Sequence, residues 1–215
     1  MTRSVKRSYH APRRKAAAQR TREAIVAAAT ELFVEQGYVA TTMAAIAERA
    51  GVALDTVYAA VGTKPVLFRL LIERAISGSE GPVPAEERDY VRAIHEEPDA
   101  YRKLAIYAAA VRSTQERLAP LFTVLQSAAS ADADLAALWS EIAERRARNM
   151  RRFAGELHAS GALRDDLSIE QAADIVWATN AAEFYALLVR QRGWTPEAFE
   201  SWLADAWERL LLKPR

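Results

Sequence analysis

Residue types that carry catalysis are thinly spread along this chain. Its three histidines, His10, His95 and His158, lie far apart. No carboxylate pair, activated nucleophile, P-loop or dinucleotide-binding glycine fingerprint stands out, so an enzyme is the poorly supported reading. With no cysteine in 215 residues, a disulfide framework and a thiolate metal site are excluded, and neither metal nor cofactor is expected. What the chain does concentrate is positive charge. Residues 1–22 carry Arg3, Lys6, Arg7, Arg13, Arg14, Lys15, Arg20 and Arg22 and no acid. Over residues 1–64 ten basic residues meet five acidic ones, whereas the remainder has nineteen against twenty-three. The formal net charge of +1 is therefore a cancellation: a basic block precedes a mildly acidic body, the asymmetry of a nucleic-acid-binding head on a separate ligand or partner domain. For the first dozen residues alone, a solvated tail is the plain alternative.

Groups suited to a phosphate follow the basic block. Thr42 and Thr63 stand where helices should begin, with unpaired N–H groups and the positive end of the helix dipole, and Lys64 adds a formal charge. The elements that must position them are legible as three short periodic runs. From Thr21, Ile25, Ala28, Ala29, Leu32 and Phe33 recur at helical spacing for about four turns until Gly37 supplies a stop. Thr42 then caps a second helix with Met43, Ile46, Ala47 and Ala50 inward, and a third turns Val57 and Val61 inward. Ala47, Gly51 and Val57 meet the demands of a helix-turn-helix: a small residue where two helices crowd, a glycine for a left-handed turn, and an apolar pin.

The stretch from Thr21 to Ile76 resembles the DNA-binding domain of the tetracycline-repressor family. Carrying the resemblance are the ELF-x3-GY end of the first helix (Glu31 to Tyr38), Thr41-Thr42, IAERAGV across the turn (Ile46 to Val52), TVY in the third helix (Thr56 to Tyr58) and Lys64 opening the fourth. Two positions depart from the family pattern: Ala53 replaces a usual serine, leaving Asp55 to help cap the third helix, and Val61 replaces a common aromatic. The resemblance implies that Tyr58 reaches the DNA backbone with its hydroxyl. Exposed positions of the third helix, Leu54, Asp55, Thr56 and Ala59, are then the base readers, and their types suit cytosine amino groups and thymine methyls better than a guanine edge.

The body reads as helical throughout, in keeping with 45 alanines and only eight glycines and eight prolines. Past Pro65 comes a connecting helix, apolar nearly all round, to residue 77. GSEGPVP (Gly78 to Pro84) is the clearest break, and Glu97-Pro98 and Ala119-Pro120 mark further helix boundaries. A stripe from Leu135 to Leu157 is interrupted only at Arg146. Its other face, with Arg145, Arg148, Arg151 and Arg152, is a solvated surface or, alternatively, an anion site. Ser168 to Gln171 forms a capping box opening a helix to residue 190, and Thr195-Pro196-Glu197 opens the last one.

Both terminal helices carry more apolar surface than one core contact needs. They predict a homodimer interface through Ile175, Ala182, Tyr185, Val189, Phe199, Trp202, Leu203, Ala206 and Leu210, the interface the family resemblance also implies. By the same resemblance the body encloses an effector pocket. Trp177, Asn180, Glu183 and Phe184 are candidates for its lining, with Tyr107, Phe122, Gln126, Trp139 and Met150, although each also reads as core. The expected fold class is all-α: a basic, flexible arm (1–19), a helix-turn-helix DNA-binding domain (20–64) and a larger helical ligand-binding and dimerisation domain (65–215). No run of about 18 apolar residues and no signal-peptide core occurs, so a cytoplasmic protein without membrane attachment is expected. The expected function is a regulator, most often a repressor, that binds a near-palindromic double-stranded DNA operator as a homodimer and leaves it on binding a small-molecule effector. The alternative is a DNA-bound regulator whose body binds a protein partner.

Overall fold

The computed structural model describes residues 11–81 and 83–214; Arg3, Lys6, Arg7 and His10 of the basic arm lie outside them. The described residues are all-α, apart from one isolated bridge between Leu163 and Leu212. They form two compact units that divide between Leu71 and Ile72, inside one helix.

In the first unit, α1 (Ala11–Ala40) is followed by α2 (Met43–Ala50), α3 (Leu54–Val61) and α4 (Lys64–Ser77), which continues into the second unit. α1 begins ten residues before the periodic run at Thr21, because Arg13 to Arg20 are a solvated stretch of good helix formers with no apolar stripe to betray it. Gly37 interrupts it with a left-handed φ of 81°. The kink is plugged by the fully buried Thr41, whose hydroxyl lies 2.8 Å from Gly37 O and 3.1 Å from Leu32 O. Ile25, Phe33, Ile46, Val57 and Phe68 fill the core, with Phe33, Tyr38 and Phe68 in mutual edge and stacked contact at 4.9 to 5.7 Å.

The second unit has a 3₁₀ turn (Ala85–Glu87), α5 (Asp89–Glu96), α6 (Ala100–Ala129), α7 (Ala133–Ala159), α8 (Ile169–Thr179), α9 (Ala182–Tyr185), a π-helical turn (Ala186–Gln191) and α10 (Pro196–Leu211). α6 is its pillar, with α5, α7, α9 and α10 packed around it. Side-chain caps start the long helices: Asp99 for α6, Asp132 for α7, the Ser168–Gln171 capping box for α8 and Thr195 for α10.

Two expected boundaries move. Pro120 does not end a helix but sits inside α6, where Leu118, Ala119, Leu121 and Phe122 are buried on either side of it; that packing outweighs the roughly 3 kcal/mol preference of proline against a helix interior. Conversely, the single helix expected over 168–190 is broken. α8 stops at Asn180 (φ −90°, ψ 6°) and Ala181 is extended (φ −67°, ψ 147°), because the Asn180 side chain is drawn into a buried polar cluster.

Candidate functional site

The first unit presents one outward row. Thr42 accepts a hydrogen bond from Ala45 N at 3.1 Å and so caps α2. Gly51 closes the helix in the left-handed region (φ 67°, ψ 33°), its N–H and that of Val52 returning to Glu48 O and Ala47 O. The turn swings α3 so that Val57 is fully buried while Leu54 (39% exposed), Asp55, Thr56, Tyr58 (47%) and Ala59 face outward. Tyr58 is therefore no core aromatic. α3 has no side-chain cap: Ala53 holds the cap position and Asp55 lies in the first turn, where its charge suits the dipole without bonding the backbone.

Thr63 is exposed at the start of α4. Beside it the half-buried Lys64 places Nζ 3.4 Å from Val39 O and 4.3 Å over the Tyr38 ring. Two residues that the periodicity does not single out for position hold α2 and α3 in place. Arg22 of α1 donates to Ala60 O near the end of α3, and Arg49 of α2 bonds Glu31 and Glu35 of α1 at 3.1 and 3.2 Å. Arg13, Arg14, Lys15 and Arg20 are exposed on α1. The eight residues expected to meet DNA thus lie on one small unit, seven of them exposed, and an arrangement of two helix starts beside basic residues can bind phosphates.

A cavity of about 80 Å³ lies in the second unit between α6, α7 and the start of α5. A second of about 50 Å³ adjoins it, sharing Tyr90, Tyr107, Asn149 and Met150. Asn180, at the α8–α9 break, ties the wall together. Its Nδ2 donates to Tyr107 Oη (3.1 Å) and Met150 Sδ (3.0 Å), its carbonyl accepts from Gln115 Nε2 (2.7 Å), and its Oδ1 accepts from Arg146 Nη2 (2.8 Å). The same Arg146 nitrogen reaches Trp177 O at 2.6 Å, and its guanidinium lies 4.9 Å over the Trp177 ring. Burial pushes the Arg146 guanidinium below its usual value, with Glu183 and Tyr107 working in the other direction. Burial likewise raises the Tyr107 phenol and keeps it protonated. Arg145 pairs with Glu73 at 2.8 Å, and Arg88 donates to Val83 O from both Nε and Nη2.

Of the nine residues expected to line a pocket, the structure brings Tyr107, Met150 and Asn180 to the cavity. Phe122 and Trp139 instead pair with each other at 5.6 Å, and Gln126 is exposed on α6. Trp177 Nε1 turns to Ala143 O at 3.4 Å, outside the wall. Phe184 stacks on Trp202 at 5.5 Å, and Glu183, half-buried, keeps one carboxylate oxygen, Oε2, without a partner. Gln115, Arg88, Tyr90, Arg146 and Asn149 line the cavity without having been expected there, and so does Arg145, which the sequence offers only as part of a solvated face or an anion site. Arg146 had a signal, as the one break in the apolar stripe of α7; Gln115 had a weaker one, a polar residue in register with Val111 and Leu118 on α6. The arginine face of α7 is ion-paired throughout: besides Arg145, Arg148 meets Glu144, Arg151 meets Glu170 and Arg152 meets Glu86.

The expected dimer surface is also thinned. Ala182, Tyr185, Phe199 and Leu203 are buried within their own unit because α9 and α10 close over α6, with Trp207 fully enclosed. Ile175, Val189, Trp202 and Ala206 are half-buried and Leu210 is exposed, so these five keep surface to offer. Among the described residues no helix is long and apolar enough to cross a membrane, and no histidine–carboxylate group could hold a metal ion.

Comparison with known proteins matches residues 25–71 to the bacterial regulatory proteins of the tetR family. The HTH-type transcriptional repressor BepR of Brucella suis biovar 1 (strain 1330) is 30% identical over 170 residues, covering 77% of this chain and 79% of that protein. Among solved structures, NalD of Pseudomonas aeruginosa, the secondary repressor of the MexAB-OprM multidrug efflux pump, superposes with a TM-score of 0.69 at 23% identity, over 92% of this chain and 99% of its own. A transcriptional regulator of Saccharomonospora viridis in complex with choline gives 0.68 at 16% identity, over 91% and 100%. At these identities the structures share the fold.

Proposed function

Because the chain belongs to the tetR family of bacterial regulatory proteins, we propose that it binds a near-palindromic DNA operator as a homodimer, represses transcription there, and is released by a small-molecule effector held in the cavity of the second unit. The observation that carries the DNA reading is the α3 row, with Val57 fully buried and Leu54, Asp55, Thr56, Tyr58 and Ala59 turned outward between the Thr42 and Thr63–Lys64 helix starts. Phosphate contacts from Thr42, Tyr58, Thr63 and Lys64 set register, and the other α3 residues read bases. No arginine lies in α3, so backbone contacts and the basic start of α1 supply much of the affinity. Repression has support in the names of BepR and NalD, and a small-molecule effector in the choline bound to the S. viridis regulator.

A dimer fits because a two-fold protein reads two half-sites, and the accessible residues of α8, α10 and the π-helical turn (Ile175, Val189, Trp202, Ala206, Leu210) suit a self-complementary patch. Selection of bound DNA from a random pool tests the first claim: an enriched inverted repeat is the expected result, and salt-sensitive binding with no enriched sequence would end it. Sedimentation tests the second. The chain should run as a dimer and Leu210→Glu as a folded monomer. An operator-bound complex that no small molecule releases would leave the body to a protein partner.

A further inference from the structure

The cavity of the second unit has a charge and a size that name its occupant more closely. Three guanidinium groups, those of Arg88, Arg145 and Arg146, line it, and no carboxylate does among the described residues; the adjoining smaller cavity adds Arg152 and Glu156, the latter 3.2 Å from His95 Nδ1. Of the three only Arg145 has a carboxylate partner, Glu73 at 2.8 Å. Arg88 and Arg146 spend their donors on neutral oxygens, Val83 O for the first and Trp177 O and Asn180 Oδ1 for the second. Glu183 lies near enough to favour the charge on Arg146 but forms no ion pair with it. Arg88 and Arg146 are both half-buried and bond only neutral oxygens, with Glu86 acting on Arg88 and Glu183 on Arg146 without pairing, so an entering anion gains a direct charge partner that the wall does not supply. Glu87 and Asp89 stand on the rim of the adjoining depression, outside the cavity itself.

A second observation is independent of charge. Gln115 is 6% exposed and lines the cavity, and its Oε1 is buried with no hydrogen-bond partner. Its amide cannot be turned round to cure this, because Nε2 donates to Asn180 O at 2.7 Å and a carbonyl there would face another carbonyl. The wall therefore offers an acceptor that lacks a donor. Apart from Thr114, Asn149 and Asn180 the rest is apolar and aromatic, with the parallel pair Tyr90 and Tyr107 (6.0 Å, 6° between planes) shared by both cavities, and Val111, Leu118, Ile142 and Met150 around it. Cavities of about 80 and 50 Å³ together fall short of the roughly 150 Å³ that holds benzene, so one ring is the upper limit and the wall must give way slightly to admit it.

We infer that the effector is a single-ring aromatic carboxylate bearing a hydroxyl or amino donor, its anion facing Arg88 and Arg146 and its donor satisfying Gln115 Oε1. This rests on the reading of the cavity as an effector site. The test is calorimetric titration of the full chain with four probes of one size: 4-hydroxybenzoate, benzoate, methyl 4-hydroxybenzoate and benzyltrimethylammonium, each repeated with operator DNA bound. 4-Hydroxybenzoate should bind at least tenfold more tightly than its ester and several-fold more tightly than benzoate, and the cation should not bind. Gln115→Met should bring 4-hydroxybenzoate down to the affinity of benzoate. Arg88→Gln, which keeps a donor for Val83 O, should weaken both acids at least threefold and leave the ester unchanged, and it spares the helix-end contacts that Arg146→Gln would put at risk. Ester or cation binding as tightly as the acid overturns the inference while leaving an effector cavity. If 4-hydroxybenzoate binds as described yet the operator stays bound, the ligand class stands and the effector reading falls. If no probe binds, the inference falls, while the effector reading stands or falls on release of the operator by other small molecules.

Discussion

Replacing Lys64 by methionine keeps the stem that lies over Tyr38 and removes only the charge, so it separates two roles the geometry gives this residue. In the free protein the ammonium sits 4.3 Å from the Tyr38 ring centroid and 3.4 Å from Val39 O. Losing a half-exposed cation–π contact costs about 0.5–1 kcal/mol of folding stability. On DNA the same ammonium stands at the first residue of α4, beside a helix start that favours phosphate. Each phosphate neutralised contributes about 0.9 to the slope of log K against log salt, so one lysine per subunit of a dimer contributes about 1.8. Raising salt fourfold, from about 50 to 200 mM, should then weaken the unsubstituted protein about twelvefold more than Lys64→Met. Fluorescence anisotropy across that salt range, on the operator and on a scrambled duplex, reads both slopes. The loss should be equal on the two duplexes, because a phosphate carries no sequence information. If the variant melts lower but its salt slopes match those of the unsubstituted protein, Lys64 belongs to the fold and the phosphate assignment is refuted.

Tyr58→Phe removes one exposed hydroxyl, so thermal stability should stay unchanged while operator affinity falls about three- to tenfold, the worth of a single hydrogen bond; a lowered melting temperature would return Tyr58 to the core. Thr42→Ala deletes the α2 cap and should cost about 1 kcal/mol in urea unfolding, with Thr42→Ser near neutral; equal losses in both would show that the methyl, not the oxygen, matters. Gly51→Ala should cost about 1–2 kcal/mol, because a Cβ there meets nothing within 4 Å and only the left-handed φ of 67° is strained. Gly51→Asn should cost less, and a reversed order would mean that the turn is held by something other than backbone geometry.

The head was readable because its constraints are local. Thr42, Gly51 and Val57 each answer a need set by residues within ten positions, and each sits where that spacing puts it. Failures came where tertiary packing decides. Pro120 is an ordinary stop signal until burial of Leu118, Ala119, Leu121 and Phe122 holds the helix through it. Asn180 and Glu183 interrupt the apolar stripe between Val176 and Phe184, but nothing local says that the backbone leaves the helix there, since the groups that claim the Asn180 side chain come from α6 and α7, 30 to 73 residues away in sequence. The lining of the cavity is decided in the same way. Phe122 and Trp139 satisfy each other, and Tyr107, Met150 and Asn180 share the cavity wall with Gln115 and the arginines.

The break at Asn180 and the cavity are built from the same atoms, which limits how a ligand can act. A helix that ends inside a protein leaves carbonyls to be satisfied, and at the end of α8 Arg146 supplies Trp177 O while Gln115 supplies Asn180 O. Both residues also line the cavity. A ligand that leaves those donors in place adds contacts without preferring one arrangement of α8 and α9 over another, and however tightly it binds it shifts no equilibrium. A ligand whose anion draws Arg146 away from Trp177 O and Asn180 Oδ1 weakens the bonds that hold the break, and only that difference can be passed on as a coupling free energy. Typical couplings of about 1–3 kcal/mol match the worth of one or two charge-assisted hydrogen bonds, so exchange at Arg146 alone is enough. The break should then be a property of the unliganded chain. Amide hydrogen exchange of Ala181 and Ala182, compared with and without saturating 4-hydroxybenzoate, measures it: a change in protection there, with Ala172 and Ala173 unaltered, is the expected result, and uniform protection across residues 172–185 would separate ligand binding from the helix break.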